Sequence, residues 1–218
     1  LQTTQRYFKF VRSWTMTDPV HAKVELVTNS IDAIKRYQAL LKLQNPESPA
    51  VVNNLVEIEE DLMERKMLIR DFAIGMRAEK MRSALLIIGN FTSEAGSRGT
   101  FSTGAKNVSQ LGRVTWKSIR DGYYSSCYIT TEGTGGIVDD DVPVTDEHRA
   151  ELSIGSSSYM SQNGTVAILE YGAHVTMNPA EEQIVRFLNY FSMRDTLSSS
   201  DFNVVARYRN PTAAHPNA

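Results

Sequence analysis

Glu25-Leu-Val-Thr-Asn29-Ser-Ile-Asp32-Ala33 carries two patterns at once. Val24, Val27, Ile31 and Ile34, with Ala22, Leu26, Ser30 and Ala33 beside them, recur at helical spacing. Glu25, Asn29 and Asp32 stand at i, i+4 and i+7, so they share a different stripe of the same helix. Thr17-Asp18-Pro19 supplies the start, a capping side chain followed by proline in the first turn. Asn45-Pro46-Glu47-Ser48-Pro49 supplies the end, so the helix is expected to run to about Leu43. A polar stripe on a helix that also has an apolar face reads either as a solvated surface or as one wall of a site.

The segments after this helix are mostly strands. Residues 54–60 and 67–71 alternate and read as a hairpin with its turn at 61–66. A helix is expected from about Arg77 to Ile88. The next stretch holds Gly89, Gly96, Gly99 and Gly104 and reads as a flexible loop feeding a short helix at 104–111. Residues 113–131 read as a second hairpin, and 132–158 as a loop without period. Two strands are expected around Tyr171-Gly172. A helix from Pro179 to Met193 should pack through Ile184, Phe187, Leu188 and Phe191, and a last strand spans Asn203 to Tyr208. This order implies an α+β fold with helices on one face of a mixed, mostly antiparallel sheet. The expected organisation is an N-terminal extension at 1–16, one domain at 17–208 and a polar tail at 209–218.

Composition narrows the function classes. With 218 residues, 41% hydrophobic and 22% charged, the chain has the balance of an ordinary globular domain. A net charge of −2 gives no global case for nucleic-acid or membrane binding, so nucleic acid is left unsupported by charge. Arg113, Lys117 and Arg120 form one local basic group. Cys127, the single cysteine, rules out an intrachain disulfide and a cysteine-based zinc site. It also suits a reducing compartment, cytoplasmic or nuclear. No apolar run reaches the length of a membrane helix. His21, His148, His174 and His215 lack metal-ligand spacing, His21 reads as a surface or packing residue, and Asp139-Asp140-Asp141 reads as a solvated acidic loop.

Three more motifs follow the helix box. Asp71-Phe-Ala-Ile-Gly75-Met76 sits between a strand and a helix, where a carboxylate can accept from an exocyclic amine and a glycine lets backbone approach a flat ring. Gly96-Ser-Arg98-Gly99-Thr100-Phe101-Ser102-Thr103-Gly104-Ala-Lys106 resembles a phosphate cradle without being a Walker A loop. Asn163-Gly164-Thr165 opens a strand with a hydroxyl at its mouth. Each motif alone reads as an ordinary turn or connector.

In this order, from about Asp18 to Met193, the four resemble the boxes of the gyrase, heat-shock-chaperone, histidine-kinase and MutL ATPases, the Bergerat-fold or GHKL family. The gyrase/chaperone/MutL/Morc-like branch fits better than the histidine kinases. The helix box matches Glu-x-x-x-Asn-x-x-Asp-Ala in full. Ala73 and Ser102 stand where the family usually has glycine.

The resemblance implies a two-layer α/β sandwich and slow Mg²⁺-dependent hydrolysis of ATP, with lid closure coupled to a conformational or dimerisation step. The alternative is a nucleotide-binding switch that does not hydrolyse, and a pure interaction domain is the remaining class. By resemblance, Glu25 is the general base and Lys106 offsets γ-phosphate charge. Asn29 holds Mg²⁺, Asp32 and Ala33 form the pocket floor, and Asp71, with Gly75, Met76 and Thr165, takes the adenine. Gly99, Thr100, Phe101, Gly104 and Lys106 close as a lid. A homodimer through the lid or the N-terminal segment, and an effector domain or partner protein outside this chain, are the implied partners.

Overall fold

The computed structural model describes residues 16–47, 52–86, 104–155, 162–190, 193 and 201–210. Helix α1 spans Pro19–Gln44. Asp18 caps it by accepting from the Val20 N–H at 3.0 Å, and Pro19 occupies the first turn, where a missing N–H costs nothing. Val20, Val24, Val27, Ile31 and Ile34 are buried along one side. Each such side chain stabilises the fold by roughly 1.5–3 kcal/mol.

Seven strands make one sheet: β1 (Leu55–Asp61), β2 (Lys66–Asp71), β3 (Gly112–Arg120), β4 (Tyr123–Ile129), β5 (Gly135–Pro143), β6 (Gly164–Tyr171) and β7 (Asn203–Arg209). Their spatial order is β5-β4-β3-β6-β2-β1-β7. All neighbours are antiparallel except β1 and β7, which run parallel. The fold is therefore α+β, a mostly antiparallel sheet with its main helices laid on one face.

That face is set by strand parity. Val56, Ile58, Met67, Ile69, Val114, Trp116, Cys127, Ala167 and Leu169 join the α1 side chains in the larger core. A smaller cluster on the opposite parity gathers Ile119, Tyr124 and Val166 with Phe72 and Leu152. Leu152 ends helix α4 (Asp146–Leu152), which Thr145 and His148 start with a reciprocal capping box.

The segment 132–158 is not the aperiodic loop its composition suggests, because it supplies β5 and α4. Its acidic run lies on β5 and is engaged. Asp141 accepts from the Ser125 hydroxyl at 2.6 Å and the Ala78 N–H at 2.9 Å, Asp139 accepts from Ser126, and Asp140 pairs with Arg82. The helix expected at 77–88 is irregular over its described part, with α2 at Ala78–Met81 and a π turn at Arg82–Leu86, and residues 87 and 88 lie outside the described residues. The two strands expected around Tyr171-Gly172 are one, β6. Helix α5 spans Ala180–Leu188 and turns Ala180, Gln183 and Phe187 inward, while Ile184 and Leu188 are exposed.

The cause of that rotation is a buried cation. Lys23 lies inside the core, 2.5 Å from Glu60 Oε2, and it donates to Gln183 Oε1. The Tyr171 hydroxyl donates to Glu60 Oε1 at 2.9 Å, and the Tyr208 ring lies 5.3 Å from the Lys23 ammonium. A buried ammonium needs oxygen partners, so α5 presents its glutamine there instead of its apolar stripe.

Candidate functional site

Asp71, the last residue of β2, is the centre of the site. It is 5% exposed. Its Oδ1 accepts from the Ala73 N–H at 3.1 Å, and its Oδ2 accepts from the Ser30 hydroxyl, also at 3.1 Å. Burial pushes its carboxyl up to about 6, and the N–H groups of Ala73 and Thr165 and the Ser30 hydroxyl pull it partly back. It is therefore mostly ionised at neutral pH, but close enough to its midpoint to respond to pH.

The Ser30 contact joins the first two motifs across 41 residues of sequence. Sheet register brings in the fourth. Asp71 is the cross-strand partner of Thr165, and Thr165 is the partner of Ser118 on β3. By parity all three side chains share the face that carries α1. The Ser118 oxygen lies 3.0 Å from Thr165 Oγ1. Helix α3 (Gly104–Asn107), which carries Lys106, packs against α1. The Asp71 end of the sheet thus brings together parts of three separated motifs, the helix box, the strand-end turn and the Gly-Thr strand.

The chain after β2 is strapped along this row. The Ala73 N–H donates to Asp71, the Met76 N–H to the Ser118 hydroxyl at 2.7 Å, and the Ala78 N–H to Asp141. Gly75 takes φ +73°, and a Cβ there would lie 2.1 Å from the Ile119 carbonyl oxygen. Its lack of a side chain serves close approach to β3. Gly164 is required in the same way, since a Cβ would sit 2.4 Å from the Asp71 carbonyl oxygen. Ala73 keeps its methyl inside the core.

The other expected residues are placed as follows. Glu25 is half-buried on α1, and burial raises its carboxyl above the usual range while His21, one turn earlier, lowers it. Asn29 is exposed, Asp32 is buried and Ala33 is partly buried. Met76 is partly buried. Lys106 is 4% exposed, and burial lowers its ammonium below the usual range. Gly104 begins α3. Gly99, Thr100 and Phe101 lie outside the described residues, as do the aromatic residues of the N-terminal extension and Phe191.

Among the described residues no three His, Cys, Asp or Glu side chains gather as a metal site. The Asn29 amide oxygen, exposed one turn beyond Glu25, is a donor that fits Mg²⁺, which takes one or two protein ligands and fills its shell with phosphate and water. The basic group is occupied. Arg113 lies over the Tyr128 ring at 4.4 Å, Lys117 pairs with Glu151, and Arg120 lies 3.3 Å from Asp121. Burial pushes the Cys127 thiol up to about 12, so it is no nucleophile. No helix among the described residues is long and apolar enough to cross a membrane.

Ser30 and Ser118 are site residues that the sequence does not mark. Ser30 lies inside the helix box, where its place in the apolar period reads as packing. Ser118 carries no motif, and only the register of three strands reveals it. No protein-family model matches the chain, and no curated protein matches it.

Proposed function

We propose that this chain binds ATP in the corner formed by α1, the end of β2 and the mouth of β6, and hydrolyses it slowly to ADP and phosphate. The reading draws on the family resemblance of the motifs. The observation that carries it is the Ser30–Asp71 hydrogen bond, which joins the helix box to the strand-end carboxylate. A buried carboxylate, which only accepts when ionised, suits the exocyclic amine of adenine, and Thr165 stands beside it.

From that anchor, the sugar and phosphates extend toward the stripe of Glu25 and Asn29. Glu25 takes a proton from the attacking water as that oxygen bonds to the γ-phosphorus and the bond to the β–γ bridging oxygen breaks. Its raised affinity for protons makes it a stronger base than an exposed carboxylate. Asn29 would be the residue that holds Mg²⁺, which would supply neutralisation of charge at the phosphates. Lys106 belongs to the phosphate end, where an anion would favour its charged form.

A binding switch without turnover is the second reading. It is favoured by Lys106, a buried residue whose ammonium is held below its usual range by burial. Phosphate release by wild type and Glu25→Ala separates the two. Slow release that disappears in the variant supports hydrolysis. No release from a wild type that binds ATP supports the switch. Equal release from both removes Glu25 from the chemistry.

A further inference from the structure

Ser118 is fully buried, and its hydroxyl oxygen stands at the meeting point of three partners. The Met76 N–H donates to it at 2.7 Å, it donates to the Gly164 carbonyl oxygen at 2.8 Å, and Thr165 Oγ1 lies 3.0 Å away. A hydroxyl has one proton and two acceptor lone pairs. A backbone N–H can only donate, so Met76 occupies one lone pair. A carbonyl can only accept, so Gly164, the nearer of the two acceptors, takes the proton. The remaining lone pair of Ser118 then accepts from the Thr165 hydroxyl.

This arrangement commits the Thr165 proton to the protein interior. The free side of Thr165 Oγ1 presents lone pairs only. Asp71, its cross-strand partner on the same face, also accepts only, with Ser30 and the Ala73 N–H occupying part of its capacity. Asp71 and Thr165 therefore each present an acceptor to the corner, and neither presents a donor. Their complement is a group with two protons on one atom, which is an exocyclic amine. A keto oxygen at that position would face two sets of lone pairs.

We propose that Ser118 is a specificity-determining positioning residue: it fixes the Thr165 hydroxyl as an acceptor, so the corner selects amino bases over keto bases. The inference rests on the nucleotide-binding reading and extends it to a residue that does not touch the ligand. Site discrimination of this kind is strong because a mismatched group leaves buried polar atoms unpaired.

The test uses the full chain and non-hydrolysable β,γ-imido triphosphates of adenosine, inosine and purine riboside, titrated calorimetrically. Wild type should rank them amine, then hydrogen, then keto at position 6, with inosine the weakest by about 100-fold relative to adenosine. Ser118→Ala frees the Thr165 proton to turn outward. It should cut the adenosine/inosine ratio about tenfold, mainly by tightening inosine, and Ser118→Thr should restore the ratio. An unchanged ratio in folded Ser118→Ala, with wild type still binding adenosine, overturns the role of Ser118 while leaving the nucleotide reading intact. Where Ser118→Ala does not fold, the wild-type ranking decides: inosine binding at least as well as purine riboside reveals a donor in the corner and overturns the proposal. Wild type that binds none of the three overturns the nucleotide reading and this inference with it.

Discussion

The Ser30 hydroxyl reaches across from α1 to donate to Asp71 Oδ2 at 3.1 Å, so the acidic helix stripe and the strand-end carboxylate form one structural unit. Neither residue is free to move without the other. Ser30→Ala should leave an acceptor of a buried carboxylate unmatched and destabilise the domain by about 1–3 kcal/mol, read by chemical denaturation. It should also weaken adenine nucleotides, because the carboxylate loses its orientation. Unchanged stability and affinity would mean that the contact does not organise the site.

The raised proton affinity of Asp71 fixes the sign of a pH effect. The folded apo protein holds this proton to about 6, against 3.8 for an unperturbed aspartate. Its contribution to stability is complete below 3.8 and is lost as pH rises through about 6, a change of about 3 kcal/mol across that window. Chemical denaturation of wild type and Asp71→Asn between pH 4 and pH 8 isolates it, since other groups titrate in both. Wild type should lose stability relative to the variant as pH rises. A ligand amine prefers the ionised form, so nucleotide affinity should move the opposite way, strengthening through pH 6 in wild type beyond any change in Asp71→Asn.

Buried charge makes a prediction away from the site. Removing one member of the Lys23–Glu60 pair leaves the other uncompensated in the core. Glu60→Ala should cost about 3–5 kcal/mol, several-fold more than a typical surface substitution, and Lys23→Met with Glu60→Leu should recover much of it. Denaturation midpoints of the two variants test this. A Glu60→Ala protein as stable as wild type would show that the pair is not desolvated in solution.

The strap after β2 can be tested at one atom. Gly75→Ala places a methyl against the Ile119 carbonyl at a positive φ. Overpacking and backbone strain together should cost about 1–3 kcal/mol or more and displace the Met76 N–H from Ser118. Loss of amide exchange protection at Met76 is the local readout. A variant with wild-type stability and protection at Met76 would show that the loop does not lie on β3.

What could be read from the sequence follows physical lines. Helix α1 was legible because its cap, proline and apolar period agree, and the hairpin of β1 and β2 because alternation and a short turn agree. Strand β5 was not, because Gly135-Gly136-Ile-Val-Asp-Asp-Asp has neither β-rich composition nor clean alternation. Pairing with β4 and three specifically bonded aspartates hold it in place. The face of α5 was misread because a buried lysine 160 residues away in sequence, Lys23, outranks the local apolar stripe. Asp71 and Thr165 were legible as motif residues, yet their adjacency, and all of Ser118's part, depends on strand register that no local pattern encodes.

Whether the Asp71 corner takes an adenine base is the most direct question to put to the protein. The measurement is calorimetric titration of wild type and Asp71→Asn with the β,γ-imido analogue of ATP, with and without Mg²⁺. Saturable, Mg²⁺-enhanced binding to wild type is expected. Asp71→Asn is expected to lose about 1.5–3 kcal/mol, roughly 10- to 150-fold, from one hydrogen bond to a charged group. Folded wild type that binds no analogue in either condition, or Asp71→Asn that binds as tightly as wild type, would contradict adenine binding at Asp71.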